Sequence, residues 1–315
     1  MRIAVVGATG RIGAKLTRTL LGAGHQVRAL SRGGPALDAL VEIGADPFIG
    51  SFDAGTGDLD RFFHEADAAF LMVKTDWNNI HGHYSEVALR FFDALRHSPV
   101  KRAVSLTAMG SGVRGSTGHF QPFYQLDQIL NRLSDIDLVH LQAGWFMENL
   151  FGFIDPIVEH GRIAWSLGLD VEAPWVATDD IADFAAGQLL DPTGQHRIVH
   201  ELGADYSMSK IADILSEEIG RPVDYRFIDR NRPEVEQGFL QRFGSLEQWL
   251  DDTQTLEALN EGRVRFHDDR PSMPTAMKAF IRASFLPRYR METKQRSTGP
   301  KQFFEWMARD DLATT

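Results

Sequence analysis

Residues 2–13 constrain this chain more than any other stretch. Arg2-Ile-Ala-Val-Val6 is a short apolar run rich in β-branched residues, the pattern of a strand buried on both faces. It runs directly into Gly7-Ala-Thr-Gly10-Arg-Ile-Gly13, and Ile12, Leu16, Leu20 and Ala23 follow at helical spacing. Strand, glycine turn and helix in this order are the context that makes a glycine spacing a dinucleotide site. Gly7 permits the tight turn, and Gly10 lets the backbone approach a pyrophosphate with no Cβ between them. Gly13 lets the helix lie close on the strand, and the helix N-terminus offers its free N–H groups to the phosphates.

The rhythm continues downstream. Residues 25–30 read as a second strand ending at Ser31 and Arg32, and residues 35–43 as a helix. Residues 45–50 read as a third strand, whose Pro47 suits a sheet edge. Phe52 and Asp53 follow at its carboxyl end, where an adenine ring can rest; Asp53 equally suits an N-cap. A fourth strand over 68–73 ends at Lys74 and Thr75. A long amphipathic helix over 79–97 and a fifth strand over 101–107 come next. Strands alternating with helices predict an α/β fold, a Rossmann-type doubly wound parallel sheet with a smaller C-terminal α/β lobe. The expected division is a NAD(P)-binding domain over 1–145 and, interleaved with it, a substrate-covering lobe with a helical extension over 146–315.

Ligands of such sheets bind at the carboxyl ends of the strands. That rule gathers Gly7, Thr9, Gly10, Arg11, Ile12 and Gly13 with Ser31, Arg32, Phe52, Asp53, Val73, Lys74 and Thr107 as candidate cofactor residues. Arg32 lies nineteen residues past Gly13, where an acid would bond a ribose 2′-OH and an arginine accommodates a 2′-phosphate. With no acid read beside it, and Arg11 as a second cation, NADP(H) is favoured over NAD(H). The plain alternative is a solvated loop arginine.

Charge narrows the partners. Lys and Arg number 33 against 43 Asp and Glu, a net charge of −10, which disfavours nucleic acid and anionic membrane surfaces. With no cysteine, disulfides, thiolate metal sites and cysteine nucleophiles are excluded. His81-Gly-His83 has the wrong spacing for one helix face, and no metal is expected. The chain opens on a core strand and has no apolar run near ~20 residues, so a soluble, cytoplasmic protein with a small-molecule substrate is expected.

The Gly-x-x-Gly-x-x-Gly spacing points to the short-chain or extended dehydrogenases. Together with His119-Phe-Gln-Pro-Phe-Tyr-Gln-Leu-Asp-Gln-Ile-Leu130 and Gln142-Ala-Gly-Trp-Phe-Met-Glu-Asn-Leu150, it resembles the NmrA-like group of atypical short-chain dehydrogenases. That group includes NADPH quinone oxidoreductase-like and isoflavone reductase-like enzymes. Ala177-Thr-Asp-Asp-Ile-Ala182, Tyr206-Ser-Met-Ser-Lys-Ile-Ala212 and Ser297-Thr-Gly-Pro-Lys-Gln-Phe-Phe304 agree with it. The resemblance adds Gly144, Phe146 and Asn149 to the cofactor set. Two positions depart from the group: Phe123 stands where a catalytic lysine is common, and Gln142 where an arginine is common. Tyr124 is the candidate catalytic acid, but Gln128 follows four residues on, so no Tyr-x-x-x-Lys pair exists here; Tyr124 otherwise reads as an aromatic wall.

Phe151, Phe153, Ile154, Ile157 and Trp165 read either as an apolar substrate flap or as the core of a small lobe. Thr178 is expected to cap a helix over 178–190, whose first-turn Asp179 and Asp180 suit the dipole and carry no catalytic role. Beyond Asp229 no strand rhythm is visible, and residues 278–290 read as an amphipathic helix, either solvated or covering a partner or substrate. Two functions follow. The first is an NADPH-dependent oxidoreductase of a small apolar or aromatic carbonyl, enone or quinone. The second is a non-catalytic NADP-binding redox sensor acting through a protein partner.

Overall fold

The computed structural model describes residues 1–53, 56–113, 118–191 and 196–295; residues 297–304 of the expected closing segment lie outside them. The first half lays down six parallel strands: β1 (Arg2–Val5), β2 (Gln26–Ser31), β3 (Asp46–Ile49), β4 (Ala68–Leu71), β5 (Arg102–Ala108) and β6 (Asp137–Ala143). Between them run α1 (Arg11–Gly22), α2 (Pro35–Val41), α3 (Thr56–Phe63), α4 (Ile80–Arg96) and α5 (Phe120–Leu130). Ile3, Ala4 and Val5 are sealed on both faces, which explains the unbroken apolar run of β1. Ile12, Leu16 and Leu20 put one stripe of α1 onto one face of the sheet, while Tyr84, Phe91 and Leu95 of α4 cover the other. Asn79 caps α4 through a bond from the Gly82 N–H.

Beyond β6 come β7 (Trp145–Phe146), a 3-10 turn at Met147–Phe153 and α6 (Ile154–His160). Then follow β8 (Arg162–Trp165), β9 (Glu172–Val176) and α7 (Thr178–Leu190). The chain then returns to the main sheet as β10 (Ile198–Leu202), pairing in parallel with β6. The seven-stranded order is β10-β6-β5-β4-β1-β2-β3, with Pro47 on the edge strand β3. The order reverses beside β1, and the crevice above β1 and β4 is the topological switch point where such sheets bind ligands.

The second lobe is built from β11 (Ala204–Ser207), α8 (Met208–Ile219), β12 (Asp224–Phe227), α9 (Pro233–Phe243) and α10 (Leu246–Asn260). It closes with α11 (Met277–Phe280), a π-turn at Ile281–Phe285 and α12 (Leu286–Gln295). β7, β9 and β11 form one small sheet, and β8 pairs with β12. Phe153, Ile154, Ile157 and Trp165 are buried in this lobe, with Phe151 packed against them, so they are its core and not a flap. Phe280, Ile281 and Phe285 join the same core, while Lys278 and Arg282 pair with Glu217 and Glu218 of α8. The 278–290 stretch is thus docked through its apolar face, with its cations Lys278 and Arg282 on the solvated side. One cap also differs from expectation. Ala177, not Thr178, is the N-cap of α7, and the carboxylate comes from Glu148, which accepts from Thr178 N at 3.1 Å and Thr178 Oγ1 at 2.5 Å. Asp180 holds Thr275, accepting from its N at 2.9 Å and Oγ1 at 2.7 Å. No helix among the described residues is long and apolar enough to cross a membrane.

Candidate functional site

Two cavities lie along the carboxyl rim of the sheet. The first, about 550 Å³, is lined by the glycine turn and by the ends of β2, β3 and β4. Gly7 adopts φ +70°, which favours glycine. A Cβ on Gly13 would lie 2.8 Å from the carbonyl carbon of Gly7, so only glycine lets α1 start this close to β1. Gly10 is the N-cap of α1 and brings no side-chain acceptor, which leaves the first-turn N–H groups open to an anion. Thr9 Oγ1 lies 3.3 Å from Ser31 Oγ, which also accepts from Gly33 N at 3.2 Å. These bonds tie the glycine turn to the end of β2.

Arg32 lines this cavity together with Phe52, Asp53 and Lys74. The expectation that no acid stands beside Arg32 is corrected here. A hydrogen bond from Ser51 holds the Asp53 carboxyl below the usual range against its partial burial, and the charges of His83 and Arg32 add to the effect. Sequence separation hid this neighbour, because β3 pairs with β2 and brings both strand ends together. His83 Nε2 lies 3.0 Å from the Lys74 carbonyl oxygen, fixing the loop after β4.

The second cavity, about 320 Å³, opens beside the first; Met72 and Thr75 line both. Its walls are apolar and aromatic, with Trp77, Tyr84, Phe120, Phe123, Trp145 and Phe146 among them. Of the expected cofactor residues, Gly7, Thr9, Gly10, Ser31, Arg32, Phe52, Asp53 and Lys74 line the first cavity. Ile12, Val73, Thr107, Gly144, Phe146 and Asn149 line the second. Arg11 and Gly13 line neither: Arg11 is exposed, and Gly13 is buried at the helix–strand contact. Tyr124 also lines neither, whereas its neighbour Phe123 does.

Among the described residues lining the second cavity, only Tyr84 and His119 titrate. Burial pushes the Tyr84 hydroxyl up to about 12, against a 3.1 Å contact with Thr75 Oγ1; the hydroxyl donates to the Val73 carbonyl at 3.4 Å. His119 escaped the sequence reading, where it stood only at the head of the 119–130 segment. Its environment comes from α10, which supplies Thr255 to the wall and Asp252 to the imidazole. His81, Glu247 and Asp251 bring one polar atom each within 4.8 Å of one another. The hydrogen bond of His81 Nε2 to both Asp251 oxygens, 3.0 Å each, accounts for that convergence, and Glu247 is exposed.

Comparison with known proteins follows the same lines. The profile of the NmrA-like family matches residues 1–265. Festuclavine synthase II of Penicillium roqueforti is 33% identical over 144 residues, 44% of this chain and 47% of that protein, so the chain spans about half the length of this relative. NAD(P)H azoreductase of Xenophilus azovorans is 26% identical over 230 residues, 71% of this chain and 76% of that one. The solved structure of the NADPH-dependent quinone oxidoreductase QOR2 of Escherichia coli, in complex with NADPH, superposes with a TM-score of 0.74. It is 18% identical, and the match covers 90% of this chain and 99% of that one.

Proposed function

The chain belongs to the NmrA-like family, and from that premise we propose that it is an NADPH-dependent reductase of a small apolar or aromatic carbonyl, enone or quinone. The observation that carries this reading is the junction of two unlike cavities at Met72 and Thr75. One is polar and glycine-lined, with Arg32 and Lys74 set among Asp53 and Asp76; the other is apolar and aromatic. A dinucleotide laid along the rim would put its adenosine and phosphates in the first and its nicotinamide at the mouth of the second.

The residues fit that group. The uncapped start of α1 meets the pyrophosphate, and the cleft that a Cβ on Gly13 would fill keeps the helix close enough to do so. Arg32 supplies the cation for a 2′-phosphate. Thr107, Gly144 and Asn149 border the reacting end. When bound, the cofactor supplies hydride. The chain would supply orientation and an apolar site walled by Trp77, Phe120, Phe123 and Trp145, in which a flat aromatic ring can stack. The named relatives that reduce quinones or azo compounds with NAD(P)H support the same chemistry.

The test is oxidation of NADPH, followed by its absorbance, with a panel of quinones, enones and aromatic carbonyls. Turnover with at least one class is the expected result. The absence of a lysine at Phe123 favours a second reading, the NADP-binding sensor. Tight NADPH binding with no oxidation by any acceptor would select the sensor and overturn the reductase.

A further inference from the structure

The reductase reading leaves its proton unassigned. Reducing a carbonyl or quinone by hydride creates an oxyanion that must be protonated. Tyr124 lines neither cavity, Phe123 cannot donate, and Tyr84 commits its hydroxyl to the Val73 carbonyl. That leaves one titratable wall residue among the described residues. We propose that His119, paired with Asp252, delivers the proton to the substrate in the second cavity; the proposal rests on the reductase reading.

The geometry that holds His119 is built by the second lobe. Its Nε2 lies 3.3 Å from Asp252 Oδ1, and its backbone N–H donates to Thr255 Oγ1 at 2.8 Å. The preceding Gly118 has φ +57°, and a Cβ there would lie 2.8 Å from Thr255 N, so the loop sits directly on the backbone of α10. The Trp77 ring packs edge-on at 5.3 Å. Around the imidazole stand Asp251 and Asp252 from α10, His81 from α4, and Arg230 just beyond β12. Asp251 is taken by His81, which leaves Asp252 for His119. Arg230 lies 3.7 Å over the Trp249 ring and donates to Thr253 Oγ1 at 2.9 Å. Its charge therefore stays fixed beside Asp252.

The pair can carry one proton and pass it on. Burial pulls the imidazole below its ordinary value, against the pull of Asp252 and Asp251, and burial pushes Asp252 up against His119 and Arg230. Both effects favour a neutral pair sharing one proton, which titrates as a unit. Nε2 is sealed from solvent and makes no hydrogen bond among the described residues, with Asp252 Oδ1 3.3 Å away, so Nδ1 is the nitrogen left to meet a ligand. The Nδ1–H bond breaks as the O–H bond of the product forms. A proton from Asp252 then crosses the 3.3 Å to Nε2, so the imidazole ends neutral and Asp252 ends as a carboxylate. The electron pair arrives with the hydride, so the dihydronicotinamide is oxidised as the substrate is reduced. Asp252 side-chain exposure is 26%, enough for water to return its proton.

The experiment uses the full chain, His119→Gln and Asp252→Asn. NADPH affinity, kcat with the best carbonyl or quinone acceptor, its pH profile, and the histidine ring signals of the cofactor-free chain by 15N NMR are the readouts. His119→Gln should lower kcat by roughly 10²-fold or more while NADPH affinity stays within about threefold. Asp252 is a positioning residue: Asp252→Asn should move both the alkaline fall of kcat and the His119 ring titration to lower pH. Wild-type protein that binds NADPH yet reduces no acceptor overturns the reductase reading and the donor role with it. Turnover by His119→Gln within about threefold of wild type overturns the donor role alone. A His119 ring titration unmoved by Asp252→Asn overturns the pairing.

Discussion

Replacing Arg32 by alanine should erase a preference for NADPH over NADH. Arg32 ends up at the carboxyl tip of β2, in the wall of the polar cavity, where a 2′-phosphate would lie. A hydrogen bond between charged groups is worth roughly 1.5–3 kcal/mol. Two features of the site press this one to the low end. Arg32 is exposed, and Asp53 shares its field. About 1.4 kcal/mol corresponds to a tenfold ratio of affinities, which should fall to near unity in Arg32→Ala. Asp53→Asn should move the ratio the other way. Its hydrogen bond from Ser51 holds the Asp53 pKa down, so this carboxylate would repel a 2′-phosphate and offset part of the field of Arg32. Removing it should raise the preference by about two- to fivefold, with a weaker effect at high salt. Calorimetric titration of both cofactors into the three chains measures all of this. Equal affinities in the wild type, or an unchanged ratio in Arg32→Ala, would refute the assignment of Arg32; a ratio that drops in Asp53→Asn would refute the charge argument.

Gly10→Val should abolish the rise in melting temperature that NADPH gives while leaving the fold intact, because a Cβ there meets only the Gly7 carbonyl oxygen, at 3.2 Å, in an extended backbone. A rise equal to that of the wild type would remove the turn from the cofactor site. Tyr124→Phe should lower turnover by less than about tenfold, since loss of a true general acid costs roughly 10²–10⁴-fold; a thousandfold drop, inside that range, would restore the tyrosine. At the far edge of the sheet, burial works against the Asp46 carboxylate, but hydrogen bonds from Arg2 and Arg28 outweigh it and hold its pKa down. Its contribution is therefore present above the unfolded value near ~4 and lost as pH falls through the lower folded value. Urea unfolding of Asp46→Asn between about pH 3 and pH 6 should show a shallower dependence than the wild type, and parallel curves would contradict the linkage.

The glycine-lined cavity was legible because its signals are local. A sealed strand, a turn that needs φ +70° at Gly7 and a helix too close for a Cβ at Gly13 all fall within thirteen consecutive residues. Strand ends at Arg32, Phe52 and Lys74 follow from the same repeat, since parallel strands joined by helices present their carboxyl ends to one rim. The rest depended on pairings that periodicity does not encode. An apolar residue such as Phe153 announces that something covers it, not whether that is substrate or neighbouring chain. Nothing local marks β10 as the seventh strand beside β6, or Glu148 as the acid at the start of α7. Asp53 beside Arg32 shows the same limit at shorter range: the two come together only through the register of β2 on β3.

The long-range pairings also give the C-terminal third of the described chain its role. Residues beyond β12 might have been an appendage, but Thr255 of α10 lines the second cavity and Asp252 faces His119. Thr275 is fastened to Asp180 of α7, and Met277 N donates to Tyr206 Oη at 3.2 Å, so the segment after α10 is bound back to both lobes. The second cavity thus takes part of its wall from α10, docked against the loop at Gly118, whereas the first is lined by the glycine turn, the ends of β2 to β4 and His83 of α4. Loosening that contact should leave the dinucleotide site formed while opening the apolar pocket. In physical terms, the first cavity is built from the opening strands of the chain, the second takes a wall residue from α10, and the two meet at Met72 and Thr75.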